Sequence, residues 1–430
     1  MVWRVILVTF AVVAFAQAQM PQRLSLSEAI ALALKQNPLL VAARQRIEAA
    51  KGKRVSAKAL PNPSLAIVPF GTISDNPFLL EQTFELPSKR SFRVKASENE
   101  FAATLADYRA AELDVLFAVK VAYIDLQAAL AVQRLTEEAV ELASTLYDLA
   151  QKQYAIGTVP LVHVTRTDIE RRRVEQELVQ AQSEVAVKQV ALNVALGQDP
   201  STPVLPTDEL SYQPLTVSLE ELKELALKQR PEVLAAQSRL AAQRFAVKSA
   251  QAQRLPDFFV LTRFGESERA LSFTAPRLGI GITLPFLDFG RIRGEVQAAE
   301  AQVAEQEALL EQTKRVVLAD VETAVKKLIA AQTVVERYRQ HIIPSAEDLL
   351  KRVKEAYAEG GSTLLEIIDA QQTWRTVRKE LVEAIANYQK ALANLERAIG
   401  GSIPPNNVPP RSEKGGVTNG RSFRGGKSQG

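Results

Sequence analysis

The chain has 430 residues, of which 47% are hydrophobic and 24% charged, with no cysteine and two histidines. That size can bury one large core or two ordinary ones, and the missing cysteine excludes disulfides, thiolate metal ligation and a cysteine-linked lipid anchor. The net charge of +4 is no signature of nucleic-acid binding, because Arg411, Lys414, Arg421, Arg424 and Lys427 against Glu413 supply all of it and residues 1–400 balance to zero.

At the start, Arg4, an apolar run from Val5 to Phe15 and Ala16-Gln17-Ala18 predict a signal peptide over 1–18. The run is short of the ~20 residues a spanning helix needs, and no later stretch is expected to be long enough without charges, which argues against a helical membrane protein. A helix opening after Ser25 leads to two strand-like runs, about 64–70 and 79–86. From there to Ile156 no proline or glycine follows Pro87, so the spacing predicts one helix on the order of 100 Å long. Its apolar positions advance by threes and fours, as in Leu116, Val119, Tyr123, Leu126 and Leu130, the pattern of a coiled-coil seam. Gly157 marks a turn, a second long helix returns over 163–197, and a Pro-rich linker runs from Asp199 to Pro214.

The second half repeats this order. Strands are expected over 258–265 and 277–285, a long helix over 291–358 kinked or broken at Pro344, and another over 363–399. From Ser402 onward a Gly/Ser/Asn/Pro-rich tail has nothing to bury and is expected to be disordered. The repeat is explicit. Ala33-Leu34-Lys35-Gln36-Asn37-Pro38 returns as Ala226-Leu227-Lys228-Gln229-Arg230-Pro231, Leu86-Pro87 as Leu284-Pro285, and 151–197 aligns without a gap on 354–400. The expected organisation is a first repeat over 19–214, a second over 215–400 and a tail over 401–430, a tandem duplication rather than a solenoid.

The strands alternate. Leu278, Ile280, Ile282 and Leu284 lie on one face, with Gly279, Gly281 and Thr283 on the other; Leu80, Gln82, Phe84 and Leu86 oppose Leu79, Glu81, Thr83 and Glu85. Such strands suit a membrane barrel or a soluble hairpin packed on helices. Two hairpins cannot close a barrel, and lipid tolerates no open sheet edge, so a spanning role requires several copies to pool their strands.

This pattern of export signal, paired hairpins and long antiparallel helices resembles the TolC-like outer-membrane efflux family over about Leu24 to Gly400. Leu60-Pro61-Asn62-Pro63-Ser64 and the run from Glu81 to Arg90 resemble its heavy-metal cation efflux branch, with Ser88 where glycine is expected. The resemblance implies a mainly helical fold with a small β part. Four strands per chain would contribute to a trimeric, 12-stranded outer-membrane β-barrel, over a periplasmic tunnel of long coiled-coil helices. It implies a passive exit duct for metal cations or drugs, working with a periplasmic adaptor and an inner-membrane transporter.

By resemblance, the turns at Tyr154-Gly157 and Tyr357-Gly360 form the tip that meets the adaptor; glycine is also simply what a helical hairpin needs to reverse. Glu366 and Asp369 match the positions of an acidic ring at the channel constriction, although Thr363-Leu364-Leu365-Glu366 is also a helix capping box. The equivalent residues of the first repeat, His163 and Arg166, carry no acid. Glu81 and Glu85 are expected to line the lumen or to be rim charges. No cofactor is implied, and no phosphate loop, metal-ligand spacing or nucleophile elbow suggests an enzyme. The competing readings are a periplasmic adaptor, which carries one hairpin in Gly-rich β domains, and a structural coiled coil.

Overall fold

The computed structural model describes residues 22–67, 78–264, 266–267, 270–273, 277–285, 288–359 and 361–403. The expected signal peptide and nearly all of the expected tail lie outside them. A short strand β1 (Gln22–Leu24) pairs in parallel with β4 (Val204–Pro206) of the linker. Between them come α1 (Leu26–Gln36), α2 (Pro38–Lys58), β2 (Ser64–Ile67), β3 (Phe78–Phe84), α3 (Pro87–Ala155) and α4 (Leu161–Leu196). The second half gives α5 (Leu219–Gln229), α6 (Pro231–Ala252), β5 (Phe258–Phe264), a small hairpin of β6 (Glu266–Ser267) and β7 (Ala270–Phe273), then β8 (Arg277–Ile282) and α7 (Arg291–Arg337). The chain ends in α8 (Ile343–Ala358) and α9 (Leu364–Ile399).

The opening helix of each half is in fact two helices, because Pro38 and Pro231 have no N–H to continue the first and start the second at its N1 position. At these corners lies the reason for the repeated Gln-Asn-Pro and Gln-Arg-Pro. Asn37 donates from Nδ2 to the carbonyl of Ala195, and Arg230 from Nη1 to that of Ala398, each in the last turn of a returning helix. Those helices end on Gly197 (φ 76°) and Gly400 (φ 85°), packed so closely that a Cβ on Gly197 would lie 2.8 Å from the Asn37 Cα, and one on Gly400 3.1 Å from the Arg230 Cα. Thus α4 abuts α2 end to end, as α9 abuts α6. Each half carries one through-going rod and one jointed rod.

At 69 residues, α3 is about 100 Å long. By length and composition it includes a stretch apolar enough to cross a membrane, which the sequence reading did not expect. Its apolar face is occupied within the protein: Val115, Val119, Tyr123 and Leu126 join Leu40, Leu192 and Leu196 in the core of the first half. A separate core, with Val321, Leu328, Tyr388 and Leu395, holds the second. The second long rod is interrupted by a π-helical turn, Tyr338–Ile342, just before Pro344 at the second position of α8. The wider turn accommodates a ring that would clash with the carbonyl four residues back.

Between the halves the seam is largely charged. Lys390 pairs with Asp125 (3.0 Å), Arg397 with Asp114 (2.6 Å), Arg378 with Glu138 (3.0 Å) and Lys379 with Glu177 (3.1 Å), a ladder running from α9 to α3 and α4. The linker is stapled to the rods by two phenols. Tyr123 accepts from the Asp208 N–H (3.4 Å) while donating to the Leu24 carbonyl of β1, Tyr388 donates to the carbonyl of Gln213, and burial pushes both hydroxyls up to about 12.

Candidate functional site

Three places carry the expected functional residues: the sheet, the junction beneath it and the helical tip. The sheet has the order β2-β3-β5-β8, all antiparallel, with Phe84 opposite Phe258 and Phe258 opposite Ile282. Residues of like parity share a face. One face therefore carries Leu65, Ile67, Phe78, Leu80, Phe84, Phe258, Leu278, Ile280 and Ile282, and every one of these is exposed, Leu278 to 72% and Ile280 to 77%. An apolar face of this extent turned to solvent marks a surface that something apolar covers. The opposite face carries Glu81, Thr83 and Arg263 with Phe259 and Leu261. Phe259 lies flat over Gly281, where a Cβ would come within 2.2 Å of its ring. Neither outer strand, β2 nor β8, has a further neighbour among the described residues.

At the junction Glu85 is not a free carboxylate. Arg93, two turns into α3, donates to its Oε1 at 2.6 Å and to the carbonyls of Ala57 and Ala59, tying the end of α2 to the start of α3. Beside it Lys89, only 3% exposed, pairs at 2.7 Å with Asp257 of the other repeat. This cross-repeat pair was missed from sequence. The residues that supply it lie in two different repeated motifs, Leu86-Pro87-Ser88-Lys89 in the first half and Leu255-Pro256-Asp257 in the second, and spacing alone does not say that these segments meet.

At the tip Gly157 reverses the chain with φ 77° and Thr158 donates back to the Gln153 carbonyl. Tyr154 is exposed and Tyr357 half-buried; Gly360 lies outside the described residues. Leu146 of α3 packs with Leu364, Ile367 and Ile368 of α9 and with Tyr357, so the two hairpins share one apolar contact at their ends. A cleft of about 550 Å³ opens between them, bordered by Gln153, His163, Arg166, Tyr357 and Thr363. The Gln153 Oε1 and His163 Nδ1 atoms are buried there without a partner among the described residues.

Glu366 and Asp369 differ. Glu366 closes a reciprocal cap: its Oε2 accepts from the Thr363 N–H (2.7 Å) and the Ser362 hydroxyl (2.7 Å), while its own N–H reaches the Thr363 hydroxyl (3.3 Å). These bonds, first that of the Thr363 N–H, hold its carboxyl below the usual range. Asp369, exposed one turn further on, makes no hydrogen bond or ion pair with any described residue. No group of three or more His, Cys, Asp or Glu able to hold a metal occurs among the described residues.

The sequence profile of the outer membrane efflux protein family matches residues 29–198 and 222–401, one match per repeat. The cobalt-zinc-cadmium resistance protein CzcC of Cupriavidus metallidurans is 25% identical over 88% of this chain and 90% of its own length. The outer membrane protein TolC of Escherichia coli is 21% identical over 75% and 68%. Among solved structures, the fold superposes on CusC with a TM-score of 0.73 at 19% identity, covering 88% of this chain and 92% of that one. On VceC of Vibrio cholerae the score is 0.70 at 24% identity, covering 88% and 96%.

Proposed function

The chain belongs to the outer membrane efflux protein family, and from that premise we propose that three copies pool their strands into a 12-stranded barrel above a closed tunnel of rods. The observation that carries this is the four-stranded sheet with an exposed apolar face and two open edges, since lipid accepts such a sheet only when its edges are closed by other copies. The two efflux repeats, 19–214 and 215–400, then supply equal shares of barrel and tunnel, with the helices in the periplasm. Neither the adaptor reading nor the plain coiled coil accounts for a lipid-compatible sheet face.

The duct has no energy source of its own and works with a periplasmic adaptor and an inner-membrane transporter. Tyr154, Gly157, Tyr357 and Gly360 form the end that meets the adaptor, and the cleft with its unpartnered Gln153 and His163 atoms supports a polar contact there. Asp369, with no other work in the fold, and Glu366, beyond its capping role, face the constriction as an acidic ring that favours cations. Glu81 faces the lumen and Glu85 sits at its rim. Metal cations are the cargo class favoured by the likeness to CzcC, with drugs as the alternative; the transporter selects between them.

The test is to express the chain with its leader, separate the membranes, extract with detergent and weigh the protein part of the particle by light scattering. Recovery from the outer membrane at three times the chain mass is the expected result. A soluble periplasmic monomer would remove the barrel, the lumen and the constriction together.

A further inference from the structure

The long helices form a layer whose two faces are unlike. One is covered: α1 packs on α3 and α4, α5 on α7 and α9, and the linker lies over Tyr123 and Tyr388. The other carries no further described element. Copies that close a ring of rods must turn this bare face inward, because α1, α5 and the linker would fill the bore. The angle between residues tells the faces apart. On α2, Arg44 donates to the Leu34 carbonyl of α1 (2.7 Å), so Arg46, about 200° further round the helix, lies on the bare side. On α3, Ala111, Asp114, Ala118, Val121 and Asp125 advance by threes and fours. Asp114 and Asp125 lie about 180° and 200° round from Tyr123, so this stripe is bare as well.

On this face, at the joint where α4 abuts α2, lies a recess of about 730 Å³. Ala42, Ala118 and Ala191 keep its floor low, and Leu39, 69% exposed, joins Phe117 and Val121 in its walls. Its size suits a small molecule, and apolar surface left in water is stabilised by an apolar group that covers it. Four charges border it, Arg46, Asp114, Asp125 and Lys188. Three of them are already paired. Asp114 accepts from Arg397 (2.6 Å), Asp125 from Lys390 (3.0 Å), and Lys188 pairs with Glu184 (3.2 Å). Arg46 is exposed and makes no hydrogen bond or ion pair with any described residue. A free guanidinium beside an apolar recess, in a wall otherwise neutralised, is complementary to an apolar body that carries one anionic head.

We propose that this recess is a binding site for amphiphilic organic anions inside the tunnel, with the apolar body on the alanine floor and the head on Arg46. The proposal rests on the tunnel reading and on nothing that the acids at the tip do. Since the chain has no cysteine, Ala118→Cys puts one thiol on the floor of the recess, and Glu209→Cys, made separately, puts one on the linker of the covered face. Both positions are exposed. The full-length particle, in lipid nanodiscs, is treated with a neutral water-soluble maleimide in the presence of octanesulfonate or of octyltrimethylammonium, which has the same apolar chain and a cationic head. Each is kept below its micellar concentration. Octanesulfonate should slow modification at 118 several-fold and leave that at 209 unchanged, and octyltrimethylammonium should protect neither. Arg46→Gln should abolish the protection, and Arg46→Lys should retain most of it.

Protection by neither amphiphile, or by both equally, would overturn the site, and so would protection that survives Arg46→Gln. A thiol at 118 that never reacts would overturn it too, since a second copy would then fill the recess. A particle that light scattering weighs as one chain, before any probe is added, would instead sink the tunnel reading and the site with it.

Discussion

Three glycines share nearly the same backbone conformation and do different work. Gly157, Gly197 and Gly400 have φ of 77°, 76° and 85°, but a Cβ at Gly157 meets open space, whereas one at Gly197 or Gly400 runs into the backbone of the abutting helix. Gly157→Ala should thus cost about 1 kcal/mol, the strain of the conformation alone. Gly197→Ala should cost more, on the order of 2–4 kcal/mol, because joint and backbone must both yield. Thermal melts of the two detergent-extracted variants compare them directly, and equal losses would mean that the joint is not tight. At the proposed constriction, Glu366→Gln keeps a side chain that can complete the capping box while removing its charge. If the acid faces the channel, cation preference in bilayer recordings falls with little change in stability, and Asp369→Asn, which breaks no bond, does likewise. Unaltered selectivity in both would leave Glu366 as a cap only. The depressed carboxyl of Glu366 also sets a sign. Its cap contributes at pH above the ordinary glutamate value and is lost as pH falls through the lower folded value, so Glu366→Gln should flatten the acid limb of tip stability, measured by hydrogen exchange near Thr363.

Among elements, the charged seam is where strength varies most. Arg375 lies 3.5 Å from Glu170 and 3.6 Å from Glu177, with Arg375 and Glu170 only 11% and 12% exposed, whereas Arg378 and Glu138 form a more open pair. Arg375→Met should destabilise by about 1–3 kcal/mol, because it leaves a largely buried acid without its cation. Arg378→Met should cost under about 1 kcal/mol. Urea titrations of both variants decide it; the reverse order would show that burial does not govern the seam. These pairs also mark the limit of what the sequence carries. The rods, the turn at Gly157 and the alternation of Leu278 to Ile282 were readable because periodicity is local. The kink site at Pro344 was readable too, although the π-helical form of the turn before it was not. The breaks at Pro38 and Pro231 were overlooked, since the repeat was read as a label of duplication rather than as a corner. Lys89 with Asp257, and Arg93 with Glu85, join residues whose nearness depends on how the sheet packs on the rods, which no spacing states. Tyr154, Tyr357 and Asp369 are proposed only through likeness to a family, and their positions carry no local signal of a role.

Across the whole molecule, α4 and α7 are the outer members of the order α4, α3, α9, α7. Both expose apolar residues: Val187, Val190 and Val194 on α4, and Leu309, Val316, Ile329 and Val334 on α7. Unlike edges that pair head to tail make a ring when the rotation closes. Accordingly, Val190→Asp with Val194→Asp on one edge, or Ile329→Asp with Val334→Asp on the other, should each shift the detergent-extracted particle toward single chains, as read by light scattering. If either pair left the mass of the particle unchanged, that edge would not be an interface. The jointed rods have a mechanical consequence. Backbone hydrogen bonds run unbroken along α3, but at Gly197 against Asn37 and at Gly400 against Arg230 the load passes through side-chain contacts and single hydrogen bonds. Those contacts resist compression far better than torque. A twist applied at the lower end is therefore taken up at mid-height as slip between abutting ends, as in a shaft with a coupling, and the portion held by the bilayer need not rotate with it.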